Sequence, residues 1–157
     1  MIRSATSVAH PNIALTKYWG KLEGMARMPS VPSLSMTLDA MSTKTTVTFD
    51  DALARDEVVL NGSIASEKEA KRATELLDRV RTAAGFATRA RVESANDFPT
   101  ASGLASSASG FAALVAAAAK AARIDWNPAT LSDHARRSSV SAARSIFGGF
   151  ATLSAGV

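Results

Sequence analysis

The 157-residue chain has no cysteine and only two histidines, His10 and His134. Without thiols there is no disulfide scaffold, no thiolate nucleophile and no zinc or iron–sulfur site with cysteine ligands. Two isolated imidazoles also disfavour a histidine-based metal site. The remaining chemistry would be carried by hydroxyls, amides and cations, and a reducing cytoplasm is the expected compartment.

Long apolar runs are missing as well. The longest, over residues 111–119, is mostly alanine and far too short to span a bilayer. The first twelve residues contain no apolar signal core. Aromatic residues make up only 6% of the chain, while hydrophobic residues make up 46%. This composition predicts one compact domain with close backbone packing and no membrane partner.

The excess of positive charge is small, with 18 Lys and Arg against 14 Asp and Glu and a net charge of +4. These cations are scattered along the chain and form no dense basic block, so we expect no nucleic-acid partner. A mildly basic surface suits phosphorylated small-molecule substrates instead.

Hydrophobic periodicity predicts an α+β domain. Strands are expected over residues 1–9, 13–18, 34–38, 43–49, 58–60, 88–94 and 146–153, the last with a kink at Gly148-Gly149. Helices are expected over 66–84, 104–122 and 128–137, with loops over 20–32 and 96–103 and a polar, irregular stretch over 138–145. The expected architecture has two layers, with a mixed sheet packed against helices.

Residues 99–108 run from a Gly- and Ser-rich loop directly into an apolar helix. The free N–H groups and the dipole of a helix start bind phosphate oxygens, and Ser hydroxyls can add a magnesium ligand. The loop is not a Walker A motif, because no Gly-Lys-Ser/Thr follows it. An ordinary capped helix is the alternative. The four serines at 102–109 favour an anion site, since serine competes with helical hydrogen bonding.

Two further segments could meet anions. Residues 17–21 place two lysines beside two of the few aromatics, although an exposed strand end is the alternative interpretation. In residues 136–144, Arg136 and Arg137 are expected on a solvated loop, whereas Arg144 is the better candidate for bidentate recognition of phosphate or carboxylate. Three such segments in one domain indicate a ligand with more than one phosphoryl group.

These segments together resemble the mevalonate diphosphate decarboxylase family of the GHMP kinase superfamily. The matching stretches are HPNIALTKYWGK (10–21), PSLSMTLD (32–39), VVLNG (58–62), ESANDFPTASGLASSASG (93–110) and ARRSSVSAARSIFGGF (135–150). They keep the family's order and spacing over essentially the whole chain. The loop-to-helix stretch is only superfamily-specific, whereas KYWGK and the Ser-x-Ser-Ala-x-Arg run indicate the decarboxylase branch.

The resemblance implies an enzyme that uses ATP and Mg²⁺ to phosphorylate the tertiary hydroxyl of mevalonate 5-diphosphate. Loss of that phosphate and of carbon dioxide then gives isopentenyl diphosphate. It also implies a cytoplasmic homodimer. The implied fold is the amino-terminal GHMP kinase domain, like the second domain of ribosomal protein S5, over residues 1–157.

The resemblance also implies roles for individual residues. Substrate would contact Tyr18, Trp19, Gly20, Lys21, Arg72, Ser139, Val140, Ser141, Ala142, Ala143 and Arg144. ATP would contact Ser94, Asn96, Ser102, Gly103, Leu104, Ala105, Ser106 and Ser107, with Ser106 or Ser107 near the magnesium. The implied catalytic residues are Lys17 near the reacting hydroxyl, Arg144, and Asn12, which would orient Arg144. Lys71 is the alternative to Arg72, because the register there stays open.

The chain departs from the family in sequence and length. Val140 stands where many relatives have Gly, and Val31-Pro32 replaces an Asn-Ser pair of the eukaryotic members. Family members are about twice as long, and the aspartate that accepts their hydroxyl proton resembles nothing here. We expect it in a carboxyl-terminal domain that is absent from this chain, whether missing from the sequence, carried by a second polypeptide or lost by truncation. Without that domain, part of the alanine-rich surface is expected to be exposed and the chain to self-associate.

Two other functions are compatible with the same residues. A related GHMP kinase would phosphorylate mevalonate or a similar substrate without decarboxylation, and the loop at 99–108 fits both reactions. An inactive or truncated binding module is the third possibility, because the implied fold resembles a ribosomal-protein domain and the chain is basic. Affinity for RNA with a steep salt dependence would indicate that module.

Overall fold

The structure, a computed structural model, describes residues 2–16, 20, 23–24, 28–99 and 106–155. The strands are β1 Arg3–Ala9, β2 Asn12–Thr16, β3 Ser33–Thr37, β4 Thr43–Phe49, β5 Glu57–Leu60, β6 Ser63–Ile64, β7 Ala90–Asn96 and β8 Phe150–Leu153. The helices are α1 Glu67–Ala84, α2 Ser106–Ala121, α3 Pro128–Ser138 and a 3₁₀ helix over Val140–Ile146. The α+β class is confirmed. In the part of the chain that the structure describes, no helix could cross a bilayer.

The main sheet has five strands in the order β1-β4-β7-β5-β6. It is mixed because β5 runs parallel to β7 while the other neighbours are antiparallel. A parallel pair needs a long crossover, and α1 supplies it. The turn between β5 and β6 has positive φ at both Asn61 (49°) and Gly62 (79°), as a tight two-residue hairpin requires.

The core lies between this sheet and the helices. Val47 and Phe49 of β4 and Val92 of β7 face inward and are at most 2% exposed. Leu76, Leu77 and Val80 of α1 pack with them, joined by the small side chains of α2. The prediction of a buried, alanine-rich helix is therefore confirmed.

Helix α1 begins and ends where its sequence predicts. Ser66 accepts from the backbone N–H of Glu69, whose side chain reaches back to the Ser66 backbone, and Gly85 closes the helix at a φ of 73°. Near that end Arg81 and Asp56 form a buried ion pair at 2.9 Å. Burial alone would lower the pKa of Arg81, but hydrogen bonds to Asp56 and Asp78 raise it.

A second sheet, which the sequence did not predict, has three strands in the order β2-β3-β8. Its inner face is polar, with Asn12, Ser33 and Ser35 all buried. Its outer face carries Ile13, Met36 and Phe150 in one cross-strand row, and these are 46%, 36% and 69% exposed. The usual arrangement of an apolar inner face and a polar outer face is reversed.

Two expectations near the end of the chain were wrong. The stretch over 138–145 is neither irregular nor solvated, because the last residue of α3 leads into the buried 3₁₀ helix. The predicted strand over 146–153 is restricted to β8, since Ile146 belongs to the 3₁₀ helix and Gly149 turns the chain with a φ of 70°. Buried serines hid the apolar face of this helix from a periodicity analysis.

Candidate functional site

Helix α2 starts next to the ends of two strands of the main sheet. Ser109, fully buried, lies 2.6 Å from the Thr43 hydroxyl, and Thr43 donates a 2.7 Å hydrogen bond to Asn96 Oδ1. One step along the sheet, the hydroxyls of Thr45 and Ser94 lie 2.8 Å apart. These bonds hold the residues predicted to approach a nucleoside, Ser94 and Asn96, against the start of α2.

A cavity of about 380 Å³ opens between α1, α2 and this edge of the sheet. Its polar lining includes Asn61, Arg72, Ser94, Asn96, Ser106 and Ser107. Its apolar lining includes Val58, Leu60, Ile64, Phe111 and Leu114. A concave site with apolar walls and a few convergent polar groups is typical of a small-molecule pocket.

Arg72 connects this cavity to the third predicted segment. Its guanidinium lies over the Phe111 ring, 4.5 Å from the ring centre, and its Nη2 donates a 2.9 Å hydrogen bond to the carbonyl of Ser138. Ser138 immediately precedes Ser139. Arg72 lines the cavity, whereas Lys71 is exposed and lies outside the lining, and which of the two binds substrate stays a prediction.

The 3₁₀ helix holds Arg144 in the interior. Arg144 is 3% exposed, and its Nη1 donates a 2.7 Å hydrogen bond to Ser33 Oγ. The hydroxyls of Ser139 and Ser141 lie 3.2 Å apart at the start of the same segment. Val140, Ala142 and Ala143 are buried beneath them. Two serines and a guanidinium therefore lie on one short segment, as an anion site requires.

Asn12 reaches the same helix from β2. Its Nδ2 donates to the Ser141 carbonyl at 3.0 Å and to Ser145 Oγ at 2.7 Å. Its Oδ1 is buried and has no hydrogen-bond partner among the described residues. The bonds of Asn12 thus hold the Ser141 carbonyl and the Ser145 hydroxyl, on either side of Arg144, and any orienting effect on Arg144 stays a prediction.

The expectation that Arg136 and Arg137 lie on a solvated loop was wrong. Both belong to the last turn of α3, and Arg136 is buried at 5% exposure with an ion pair to Asp133. Arg137 is exposed and pairs with the same carboxylate. Burial would raise the pKa of Asp133, but hydrogen bonds from the two arginines lower it. Both cations therefore pair with Asp133 within α3.

Several predicted site residues lie outside the described residues, namely Lys17, Tyr18, Trp19, Lys21, Ser102, Gly103, Leu104 and Ala105. Their roles stay predictions. Gly20 is described and has a φ of 82°, and a Cβ added at this position would lie only 2.8 Å from Ser30 Oγ. Positive φ and this close approach both require glycine there.

Magnesium has few protein ligands available here. Within residues 2–16, 20, 23–24, 28–99 and 106–155, no group of three His, Cys, Asp or Glu could hold a metal ion. Ser106 and Ser107 supply hydroxyl oxygens at the cavity wall. Mg²⁺ commonly takes only one or two protein ligands and completes its shell with phosphates and water, so these oxygens fit such an ion.

Four residues of this region escaped the sequence analysis. Thr43, Thr45 and Ser33 are buried hydroxyls that hold site residues, and Arg79 donates to Ser138 at 2.7 Å. For Thr43, Thr45 and Ser33 the only signal in the sequence was the alternation of residues along β3 and β4, which predicts that a serine or threonine at these positions faces inward. No local pattern pointed to Arg79.

The family follows from comparison with known proteins. A sequence model of the diphosphomevalonate decarboxylase-like N-terminal domain matches residues 9–157. The chain belongs to this family. Mevalonate diphosphate decarboxylase structures from Staphylococcus aureus and Enterococcus faecalis superpose with TM-scores of 0.94 and 0.92 at 46% and 49% identity. The Staphylococcus aureus match covers 100% of this chain and 47% of that structure. The Enterococcus faecalis match covers 98% of this chain and 48% of that structure.

A curated relative from Haloferax volcanii, named phosphomevalonate decarboxylase, is 42% identical over 98% of this chain and 47% of its own length. The diphosphomevalonate decarboxylase of Aspergillus fumigatus is 40% identical over 97% of the chain. The chain spans about half the length of these relatives. A similar structure, 49% identical with a TM-score of 0.91, is described as a complex with MVAPP, AMPPCP and magnesium.

Proposed function

We propose that the complete protein catalyses the ATP-dependent decarboxylation of mevalonate 5-diphosphate to isopentenyl diphosphate. The observation that carries this proposal is the junction at Arg72, which lines the cavity and also binds Ser138 beside the serine segment. A nucleotide site and a substrate site are thereby contiguous. Contiguity is required for transfer of a phosphoryl group between two bound molecules.

The cavity suits a nucleotide. Its aliphatic and aromatic walls fit a base, and the Ser94 and Asn96 side chains offer hydrogen bonds to a ribose or base. Phosphates would lie at the start of α2, where Ser106 and Ser107 supply hydroxyls for phosphate oxygens or for magnesium. ATP and Mg²⁺ are therefore the proposed cofactors. When bound, ATP supplies the phosphoryl group that turns a tertiary hydroxyl into a leaving group.

The 3₁₀ helix suits the second molecule. Ser139, Ser141 and the Arg144 guanidinium present donors for a diphosphate or a carboxylate. Arg144, buried away from competing water, is proposed to hold the substrate anion while the phosphorylated oxygen departs. Lys17 is proposed to lie near the reacting hydroxyl, as the family resemblance implies.

The test is a matched measurement of ADP and carbon dioxide produced by the complete protein from ATP and mevalonate 5-diphosphate. Equal amounts of both products are expected. A stable phosphorylated product without carbon dioxide would instead support the kinase alternative. Ser107→Ala should raise the KM for ATP, and Ser154→Ala, an exposed serine outside the cavity, is the control.

A substrate with one phosphate is the second candidate. The Haloferax relative is named for phosphomevalonate, and it is as similar to this chain as relatives named for the diphosphate. Comparison of kcat/KM for mevalonate 5-phosphate and 5-diphosphate decides between the two. We propose the diphosphate, because the similar structures from Staphylococcus aureus and Enterococcus faecalis are named for mevalonate diphosphate.

We also propose that the complete protein acts in the cytoplasm as a homodimer, without a nucleic-acid or membrane partner. The scattered positive charges support the absence of a nucleic-acid site. Light scattering of the complete protein measures the oligomeric state. RNA affinity that falls steeply with salt would contradict the proposed partners.

A further inference from the structure

Two arginines of α1 hold the end of α3. Arg72 and Arg79 are seven residues apart, two helical turns, and so lie on the same face of α1. Arg72 Nη2 donates to the Ser138 carbonyl at 2.9 Å, and Arg79 Nη2 donates to the Ser138 hydroxyl at 2.7 Å. Arg79 Nη2 also donates to the His134 carbonyl at 3.1 Å. Ser138 is therefore held through both its backbone and its side chain.

Cations suit this position. The last carbonyls of a helix lack partners within the helix, and its C-terminal end carries partial negative charge. Arg79 is half-buried, and burial together with the nearby Arg137 lowers its pKa. Its Nε is buried without a hydrogen-bond partner among the described residues. The protein thus retains a guanidinium here despite its desolvation, with Nη2 directed at the end of α3 while Nη1 donates to the Glu75 carbonyl of α1.

The helix end determines where the serine segment begins. Ser138 and Ser139 are 6% and 8% exposed, and the Ser139 N–H donates to the Ala135 carbonyl at 2.9 Å. The chain then turns into the 3₁₀ helix, where the Ala142 N–H donates to the Ser139 carbonyl. A small displacement of Ser138 would therefore move the hydroxyls of Ser139 and Ser141.

We propose that Arg79 is a positioning residue that acts through Ser138 to set the substrate-binding geometry of Ser139 and Ser141. The proposal rests on the proposed function, because it assigns the phosphorylated substrate to those two serines. Arg79 itself lies outside the cavity lining. It therefore affects binding of the phosphorylated substrate and leaves binding of ATP unchanged.

Steady-state kinetics of the complete protein tests the role of Arg79. Arg79→Met should raise the KM for the phosphorylated mevalonate about tenfold, the effect of losing a hydrogen bond from a charged group. Its KM for ATP should stay within about twofold of wild type. Arg79→Lys should recover most of the loss. Arg137→Met is the matched control, because it removes an exposed cation from the same helix end without touching Ser138.

A double-mutant cycle separates action through Ser138 from other routes. Ser138→Ala removes only the acceptor hydroxyl, and in that background Arg79→Met should change the substrate KM by no more than about twofold. Full additivity of the two substitutions would overturn the proposal. An unchanged KM in Arg79→Met, or equal rises in the KM values of both substrates, would overturn it too.

Hydrogen–deuterium exchange tests the role of Arg79 without requiring that the protein catalyse the proposed reaction. Arg79→Met should speed exchange in the peptide 138–146 by at least about tenfold, while the core peptide of β4 stays at the wild-type rate. If the wild-type protein releases no carbon dioxide, the proposed function fails and this exchange pattern alone supports or overturns the positioning role. Uniformly faster exchange would show general destabilisation and overturn it.

Discussion

Arg144 donates a 2.7 Å hydrogen bond to Ser33, and the two residues are only 3% and 1% exposed. The contact joins the 3₁₀ helix to the polar inner face of the second sheet. Burying a charged side chain costs free energy unless polar groups receive it. The inner face of β2 and β3 is polar because it supplies a hydrogen-bond acceptor for the buried Arg144 guanidinium.

Arg144→Met should lower kcat of the complete protein by roughly 100-fold, the loss typical of removing one donor to a reacting anion. The substitution leaves the buried Ser33 hydroxyl without this donor and should cost about 1–3 kcal/mol of stability, a loss after which the domain should still fold. Turnover and thermal unfolding together check this. Arg137→Met, an exposed arginine nearby, is the control and should behave as wild type.

Thr45→Val should raise the KM for ATP about fivefold and leave the substrate KM unchanged. Thr45 is fully buried and its hydroxyl lies 2.8 Å from that of Ser94 in the cavity wall, so the substitution removes one hydrogen bond without changing volume. Thr46→Val on the opposite face of β4, where the hydroxyl bonds Thr6, is the matched control. A fivefold effect in the control as well would refute the assignment.

Acid should destabilise the fold through His134. Burial, with Arg137 and Arg79 nearby, lowers the pKa of His134 below its ordinary value of 6.5, although Asp133 opposes this shift. The unfolded chain therefore binds the proton first, so stability is complete above pH 6.5 and is lost as pH falls from there through the folded-state pKa. The Trp126 ring is stacked on the His134 ring, with 4.1 Å between the two ring centres.

Urea unfolding between pH 5 and 8 measures this dependence, since these limits are about the range in which histidine titrates. His134→Gln should flatten the acid limb. An acid limb of wild-type steepness in His134→Gln would assign the effect to other groups.

The 157-residue chain on its own should self-associate through the outer face of the second sheet. Ile13, Met36 and Phe150 form an exposed apolar row there, and such patches mark contact surfaces. The sequence analysis expected an exposed alanine-rich surface near the carboxyl end, whereas Ala142, Ala143 and Ala151 there are buried and Phe150 is exposed. Phe150→Ser should reduce association in light scattering. Ile2→Ser is the control, since Ile2 and Phe150 are equally exposed at 68% and 69%.

The sequence predicted local elements better than their partners. The Ser66 capping box, Gly85 and the Asn61-Gly62 turn all lie where their chemistry places them, because each depends on neighbours within a few residues. The second sheet was missed, since pairing of β3 with β8 joins Ser33 to Leu153 across most of the chain. No local pattern encodes such a contact.

In the candidate site, too, the sequence predicted local features but not the tertiary contacts that support them. Ser94, Asn96, Ser106 and Ser107 were predicted to share one site, and the structure places all four around one cavity. Their supports, such as Thr45 and Arg79, are recognisable only from tertiary contacts. The buried state of Arg136 was predicted wrongly for the same reason, because its charge suggested solvent exposure and its partner Asp133 was overlooked.

The most direct measurement follows carbon dioxide from carboxyl-labelled mevalonate 5-diphosphate during a single turnover of the complete protein with ATP and Mg²⁺. Adjacent nucleotide and substrate sites predict one labelled carbon dioxide for each ADP, with both lost together in Arg144→Met. ADP without labelled gas, or labelled gas without any requirement for ATP, would contradict a contiguous site for phosphorylation and decarboxylation.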